Sequence, residues 1–210
     1  MNKIVKNTLI LTAITVVAGL LLGVVYGVTK DPIAKAQEKA KQEAFRSVLS
    51  DAETFESDTE FDADAASALL KENGYTSDDI SEVAEGKDAS GETVGYVVNV
   101  TSHDGYNGDI SYSVGIDAEG KINKVEFLSI SETPGLGMQA KTKPEHLEQY
   151  VGVASDNFTV VKDGSGNLKK DVADKTENID SLSGSTITSK SVNNGINAAV
   201  VTARTVYSTP

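Results

Sequence analysis

Between Asp180 and Ser189 the sequence reads Asp-Ser-Leu-Ser-Gly-Ser-Thr-Ile-Thr-Ser, a polar loop through Ser183, Gly184 and Ser185 that delivers two hydroxyls, Thr186 and Thr188, to the start of an amphipathic segment. A helix beginning there leaves backbone N–H groups unpaired and turns the positive end of its dipole toward the loop. A phosphate could be held at such a place without any lysine or arginine. The Thr186 hydroxyl stands where that phosphate could be attached. The same residues also suit an ordinary helix start, with Thr188 or Ser189 as an N-cap contributing ~1 kcal/mol. On local chemistry alone that plainer reading is the stronger.

A second segment, Glu132-Thr133-Pro134-Gly135-Leu136-Gly137, combines a carboxylate with a rigid turn. Pro134 fixes φ, and the two glycines let the backbone bend sharply or approach a planar ligand closely. It is not a dinucleotide fingerprint, since no third glycine follows at the required offset. Glu132 suits either a ligand hydroxyl or solvent. Tyr106, between Gly105 and Gly108, suits stacking on a ligand or packing across strands. The two histidines, His103 and His146, lie in no metal-ligand spacing and read as surface residues. With no cysteine there is no thiolate metal site, disulfide or thiol nucleophile, and no catalytic triad is suggested, so redox chemistry would need an organic cofactor.

The elements that must position these residues begin with an anchor. Thr8 to Val28 carries no charge and is long enough to cross a bilayer as a helix. Lys3 and Lys6 precede it, while Lys30 is offset by Asp31, so the N-terminus is expected in the cytoplasm and the rest outside. The competing reading is a cleaved signal with Ala34-Lys35-Ala36 at the cleavage site, although the apolar run exceeds a typical signal core. Gly19, Gly23 and Gly27 give the small-residue spacing that permits close helix approach, and glycine is also simply common in such helices. Pro32 suits a first helical turn, and Ile33 to Leu49 is predicted as a helical stalk whose Phe45, Val48 and Leu49 dock on the following domain.

Beyond it a helix is expected over Ala63 to Glu72, stopped by Asn73-Gly74, then period-two strands over Val94–Val100, Ile110–Ile116 and Ile122–Leu128. A short helix over Glu145–Val151, a strand over Phe158–Val161 and a turn over Asp163–Asn167 follow. The chain should close with a helix from Ser189 to Val206 that buries Val192, Ile196, Ala199, Val200, Ala203 and Val206. The fold class is therefore α+β: an N-terminal transmembrane helix and stalk, then an antiparallel sheet flanked by helices. The division is 1–29 for the cytoplasmic N-terminus and anchor, 30–50 for the stalk and 51–210 for the extracytoplasmic domain. A formal charge of −12 argues against nucleic acid as a partner.

The two chemical segments acquire a specific meaning through resemblance. Asp180-x-x-Ser183-Gly184-Ser185-Thr186 is similar to the Asp-x-x-(Ser/Thr)-Gly-Ala-Thr signature at which a flavin transferase moves FMN from FAD onto a threonine hydroxyl, with Ser185 where alanine is usual. Glu132 to Gly137 matches the Glu-Thr-Pro-Gly-Leu-Gly segment of the same FMN-binding domain family, and Gly105-Tyr106-x-Gly108 also resembles it. Over essentially the whole chain the pattern resembles the G subunits of Rnf electron-transport complexes, relatives of the C subunit of the sodium-pumping NADH:quinone oxidoreductase.

The resemblance implies one covalent FMN per chain, esterified to Thr186, with Asp180, Ser183, Gly184, Ser185, Thr188, Glu132, Thr133, Gly135, Leu136, Gly137 and Tyr106 around it. Asp180 would be read by the transferase, and Gly184 would give the loop freedom to present the hydroxyl. It implies an electron carrier of the inner or plasma membrane that catalyses nothing alone and holds no metal. Its partners would be the other subunits of a complex coupling ferredoxin/NAD electron transfer to ion movement, and the transferase during maturation. The alternatives are a quinone-oxidoreductase subunit or stand-alone flavoprotein and, in another class, a non-redox binding or scaffold module.

Overall fold

The computed structural model describes residues 3–59 and 61–207. The chain divides into two compact units, 1–42 and 43–210. Helix α1 runs without interruption over Lys3–Val48. Its apolar part is long enough to cross a membrane, and none of that stretch is buried in protein. Three threonine hydroxyls in and beside it are turned back onto the helix: Thr8 Oγ1 donates to Ile4 O, Thr15 Oγ1 to Thr12 O and Thr29 Oγ1 to Val25 O, at 2.8–3.0 Å. That pairing removes the cost of a bare hydroxyl in hydrocarbon.

Pro32 does not open a second helix as expected but lies inside α1. Proline removes one backbone donor. The Ala, Gln, Glu and Lys around it are strong helix formers, which favours continuation. The compact second unit begins at Glu43, so Ala44, Phe45 and Val48, all buried, belong to it.

The core of the second unit is a five-stranded antiparallel meander in the order β1 (Thr54–Ser57), β2 (Asp78–Lys87), β3 (Thr93–Ser102), β4 (Ile110–Asp117) and β5 (Ile122–Ser129). The last three were anticipated to within about two residues; β1 and β2 were not. Helix α2 (Ala63–Glu72) links β1 to β2. Asp62 caps α2, its carboxylate accepting from the N–H groups of Asp64 and Ala65, and Asn73 ends it as expected.

Side chains alternate across the sheet, so neighbours such as Val97 and Val98 belong to different cores. Val97 and Ala84 join Phe45, Val48, Leu49 and Ala52 on one face. Val98, Val83 and Tyr112 join Val192, Ile196 and Val200 on the other. Glycines allow the closest approaches of the first face. A Cβ at Gly115 would strike the carbonyl of Val48, and one at Gly86 would strike the side chain of Leu49.

After β5 come two short helices, α3 (Gln139–Thr142) and α4 (Pro144–Glu148), the second shorter than predicted. Strand β6 (Thr159–Val161) pairs in parallel with β7 (Asn178–Asp180) in a separate two-stranded sheet. Val172–Asp174 is a turn of 3-10 helix.

The terminal helix α5 covers Thr186–Tyr207 and so begins three residues earlier than expected. Its buried face includes Val192, Ile196, Ala199, Val200 and Ala203 as read from the sequence, together with Ala198. Val206, expected inside, is 47% exposed, and in the last turn it is Tyr207 that meets the sheet, its ring 4.5 Å from that of Tyr96.

Candidate functional site

The early start of α5 makes Thr186 its first residue and puts Thr188 inside it. Leu182 and Ser185 close a tight turn, the Ser185 N–H donating to Leu182 O at 3.0 Å. Gly184 stands third in that turn with φ +75°, a conformation that favours glycine. Ser189 Oγ then stitches turn to helix, accepting from Leu182 N at 2.9 Å and donating to Ser185 O at 3.1 Å. Ser189 N donates to Ser185 O as the first helical hydrogen bond, so the N–H groups of Thr186, Ile187 and Thr188 precede any intrahelical acceptor. Thr188 and Ser189 are therefore inside the helix and are not its caps. Ser185, placed to cap, leaves its buried Oγ without a partner.

The loop after β5 meets this helix start. A cavity of about 470 Å³ is lined by Glu132, Thr133, Leu136 and Gly137 from that loop, by Gly184 to Thr188 from the turn and helix, and by Tyr106. Two segments some fifty residues apart in sequence thus form one site. Ile187 is the lining residue that sequence reasoning missed; nothing in its type signals chemistry, and only the helical phase places it there. Ser183 and Gly135 are exposed and are not among the lining residues; Gly135 supplies a φ of +75° to the turn.

Glu132 is 4% exposed. Its Oε1 accepts from Asn107 N at 3.3 Å, while Oε2 is buried with no partner in the protein. Asn107 Nδ2 also donates to Ser131 O at 2.7 Å, fixing the Tyr106 loop to the same segment. Gly137 is required between them, since a Cβ there would collide with Glu132 Oε2 and crowd Thr188 Oγ1.

Against these buried polar atoms stand exposed apolar side chains, Tyr106, Leu136 and Ile187. The cavity therefore joins an apolar rim to two unsatisfied buried oxygens and a row of unpaired N–H groups. A planar ring with a polar, phosphorylated tail fits that combination, and the volume is in the range of ligand sites. FMN is such a molecule.

Asp180 lies apart from this cavity. It is buried at the end of β7, with Oδ1 accepting from Gly166 N and Oδ2 from Leu168 N, both at 3.0 Å. Its neighbour Ser181 reaches back to the site, with Oγ 3.4 Å from Thr186 Oγ1.

The histidines divide. His103 is exposed between Asp79 and Asp109, at 3.0 and 2.9 Å, and hydrogen bonds first to Asp109 and then to Asp79 raise its pKa. His146 is not a surface residue as expected but is 1% exposed, with burial lowering its pKa to about 4. Among the described residues no cluster of three or more His, Cys, Asp or Glu side chains could hold a metal ion.

Comparison with known proteins gives this geometry a family. Residues 105–201 match the FMN-binding domain model, and residues 1–48 match the RnfG N-terminal region. The chain is 32% identical over 196 residues to the G subunit of the Na(+)-translocating ferredoxin:NAD(+) oxidoreductase complex of Acetobacterium woodii, covering 93% of this chain and 89% of the relative. It is 31% identical over 199 residues to the G subunit of the proton-translocating ferredoxin:NAD(+) oxidoreductase complex of Clostridium ljungdahlii, covering 95% of this chain and 91% of the relative. Among solved structures, Shewanella oneidensis NqrC superposes with a TM-score of 0.49 at 24% identity, over 60% of this chain and 59% of that one. The chain belongs to the family of G subunits of Rnf-type ion-translocating oxidoreductase complexes, membrane electron-transfer subunits built on an FMN-binding domain.

Proposed function

We propose that this chain carries its FMN covalently, through an ester between the flavin phosphate and Thr186 Oγ1, and passes electrons within an Rnf-type complex that couples ferredoxin/NAD oxidoreduction to ion translocation. The observation that carries the reading is the meeting of Glu132–Gly137 with Gly184–Thr188 around one cavity, with the Thr186 side chain in its wall at the start of a 22-residue helix. When bound, the flavin supplies one- and two-electron chemistry. The protein's part is to hold and insulate it. The N–H groups of Thr186, Ile187 and Thr188 offset phosphate charge, Glu132 Oε2 accepts a hydrogen bond from a ligand hydroxyl, and Tyr106, Leu136 and Ile187 keep water from the ring.

Attachment requires a flavin transferase. The Thr186 oxygen forms a bond to the flavin-side phosphorus of FAD as the pyrophosphate bridge breaks. AMP leaves with the bonding electron pair, and the hydroxyl proton passes to a base of the transferase. The 1–29 segment anchors the chain in the inner or plasma membrane with its N-terminus cytoplasmic, 30–50 serves as a stalk, and 51–210 works on the outer side. Lys3 and Lys6 against the paired Lys30 and Asp31 support that orientation. Protease added to intact spheroplasts should digest the domain; protection until lysis would reverse the assignment.

The attachment is tested by coexpressing the chain with a flavin transferase and measuring intact mass. Wild-type protein should gain one FMN less one water. Thr186→Val keeps the side-chain shape without the nucleophile and should be folded and colourless. Covalent flavin on that variant, or peptide mapping to Thr188, would overturn the assignment.

A further inference from the structure

We propose that Asp180 acts in flavin attachment as a positioning residue and not as a group read directly by the transferase, and that Gly166 and Gln149, both outside the signature, act with it. The inference rests on Thr186 being the acceptor. Both oxygens of the Asp180 carboxylate are already occupied by backbone donors, Gly166 N and Leu168 N, and the residue is buried. With the residue 9% exposed and each oxygen turned onto a backbone donor of its own chain, the carboxylate is engaged in holding the fold.

What the carboxylate holds is the 163–168 loop, folded against the segment that leads to the acceptor. The backbone of Asp180 is gripped from the other side by Gln149, which accepts from Asp180 N at 2.7 Å through Oε1 and donates to Asp180 O at 3.2 Å through Nε2. Asn167, on the clamped loop, donates to the Gln149 carbonyl at 3.1 Å and to Thr176 O at 2.5 Å. The side chains of Asp180, Gln149 and Asn167 each hold backbone groups of the others' segments, so removing one member leaves others unpaired.

The grip is transmitted residue by residue. Ser181 N donates to Val161 O at 2.9 Å, Leu182 N to Ser189 Oγ at 2.9 Å, and Ser181 Oγ lies 3.4 Å from Thr186 Oγ1. Asp180 thus fixes the start of a short tether whose far end is the acceptor hydroxyl. Misplacing a nucleophile by about an ångström costs on the order of a hundredfold in rate. Gly166 is part of the device because its Cα faces Asp180 directly: a Cβ there would collide with Asp180 N and come within 2.6 Å of its Cγ.

The experiment is steady-state flavinylation of the full-length chain by a flavin transferase at saturating FAD, with the chain as varied substrate. Asp180→Ala, Gly166→Ala and Gln149→Leu are compared with wild type, and circular dichroism confirms folding. Gly166→Ala and Gln149→Leu leave every signature residue in place. All three should lower kcat at least tenfold while leaving KM for the chain within about threefold, and hydrogen exchange should quicken across 163–168 and 181–186. If only Asp180→Ala is impaired, or if the loss falls on KM, the carboxylate is read directly and the proposal is overturned. Should one variant fail to fold, the remaining pair decides, with Asp180→Asn as the mildest opening of the clamp. Wild-type chain that takes no flavin on Thr186 would instead sink the acceptor assignment, while the exchange measurement would still report on the clamp.

Discussion

Gly137 is the residue on which the cavity's shape turns. With no side chain it lets Glu132 Oε2 and Thr188 Oγ1 stand over the same backbone atom. Gly137→Ala should destabilise the domain by about 1–3 kcal/mol through overpacking and should weaken flavin retention, read by urea unfolding and by the flavin absorbance of purified protein. Thr188 is 1% exposed and lies inside the helix, two residues beyond Thr186. Thr188→Val should keep its covalent flavin, and intact mass checks this. At this scale the sequence told most where residue type is itself unusual: a threonine pair at a helix start, a proline followed by two closely spaced glycines. It could not show that Glu132 keeps one buried oxygen unpaired, because a turn carboxylate looks the same in sequence whether solvated or enclosed. Nor could it show that the two Asp180 oxygens accept from backbone N–H groups fourteen and twelve residues upstream.

Helix α5 is the element that orders the site, and it is held by more than its apolar stripe. Asn197 accepts from Phe158 N at 2.8 Å and donates to Phe158 O at 3.0 Å, and Asn193 donates to the same carbonyl at 2.9 Å. Tyr112, beneath the helix, donates to Val192 O at 2.8 Å. Gly195 makes that approach possible, since a Cβ would collide with the Tyr112 hydroxyl. Gly195→Ala should therefore cost about 1–3 kcal/mol despite alanine's better helix propensity, and Gly195→Ala combined with Tyr112→Phe should recover part of the loss, measured by thermal melts. The sequence pattern marked β3, β4 and β5 by their runs of β-branched and aromatic residues and, through helical periodicity, found this helix to within three residues of its start. It missed β2, where Asp78, Asp79, Glu82 and Glu85 mask Ile80 and Val83, since acidic residues are uncommon in strands and here point mainly away from the core. It missed β1 because four residues carry too little pattern.

Across the whole domain two buried titratable groups pull stability in opposite directions with pH. Asp78 has its pKa raised to about 6, first by burial, with Ser102 opposing and the charge of Asp104 adding. Compared with ~3.9 in an unfolded chain, the folded protein keeps this proton longer, so stability falls as pH rises from ~4 to 6. His146 behaves in the reverse sense. Burial lowers it to about 4, so an unfolded chain, with a histidine pKa of ~6.5, takes up the proton first and stability falls as pH drops through that interval. The two windows overlap and offset one another, and single variants should expose each slope. Asp78→Asn should be more stable than wild type at pH 7, with the gain vanishing near pH 4, because the neutral amide avoids the buried charge only where the wild-type carboxyl would be ionised. His146→Leu should lose less stability than wild type between pH 6.5 and 4, by on the order of 3 kcal/mol at the acid end. Urea unfolding at pH 4, 5, 6 and 7 checks both, and parallel curves for the variants and wild type would show that neither group titrates within the fold as its burial demands.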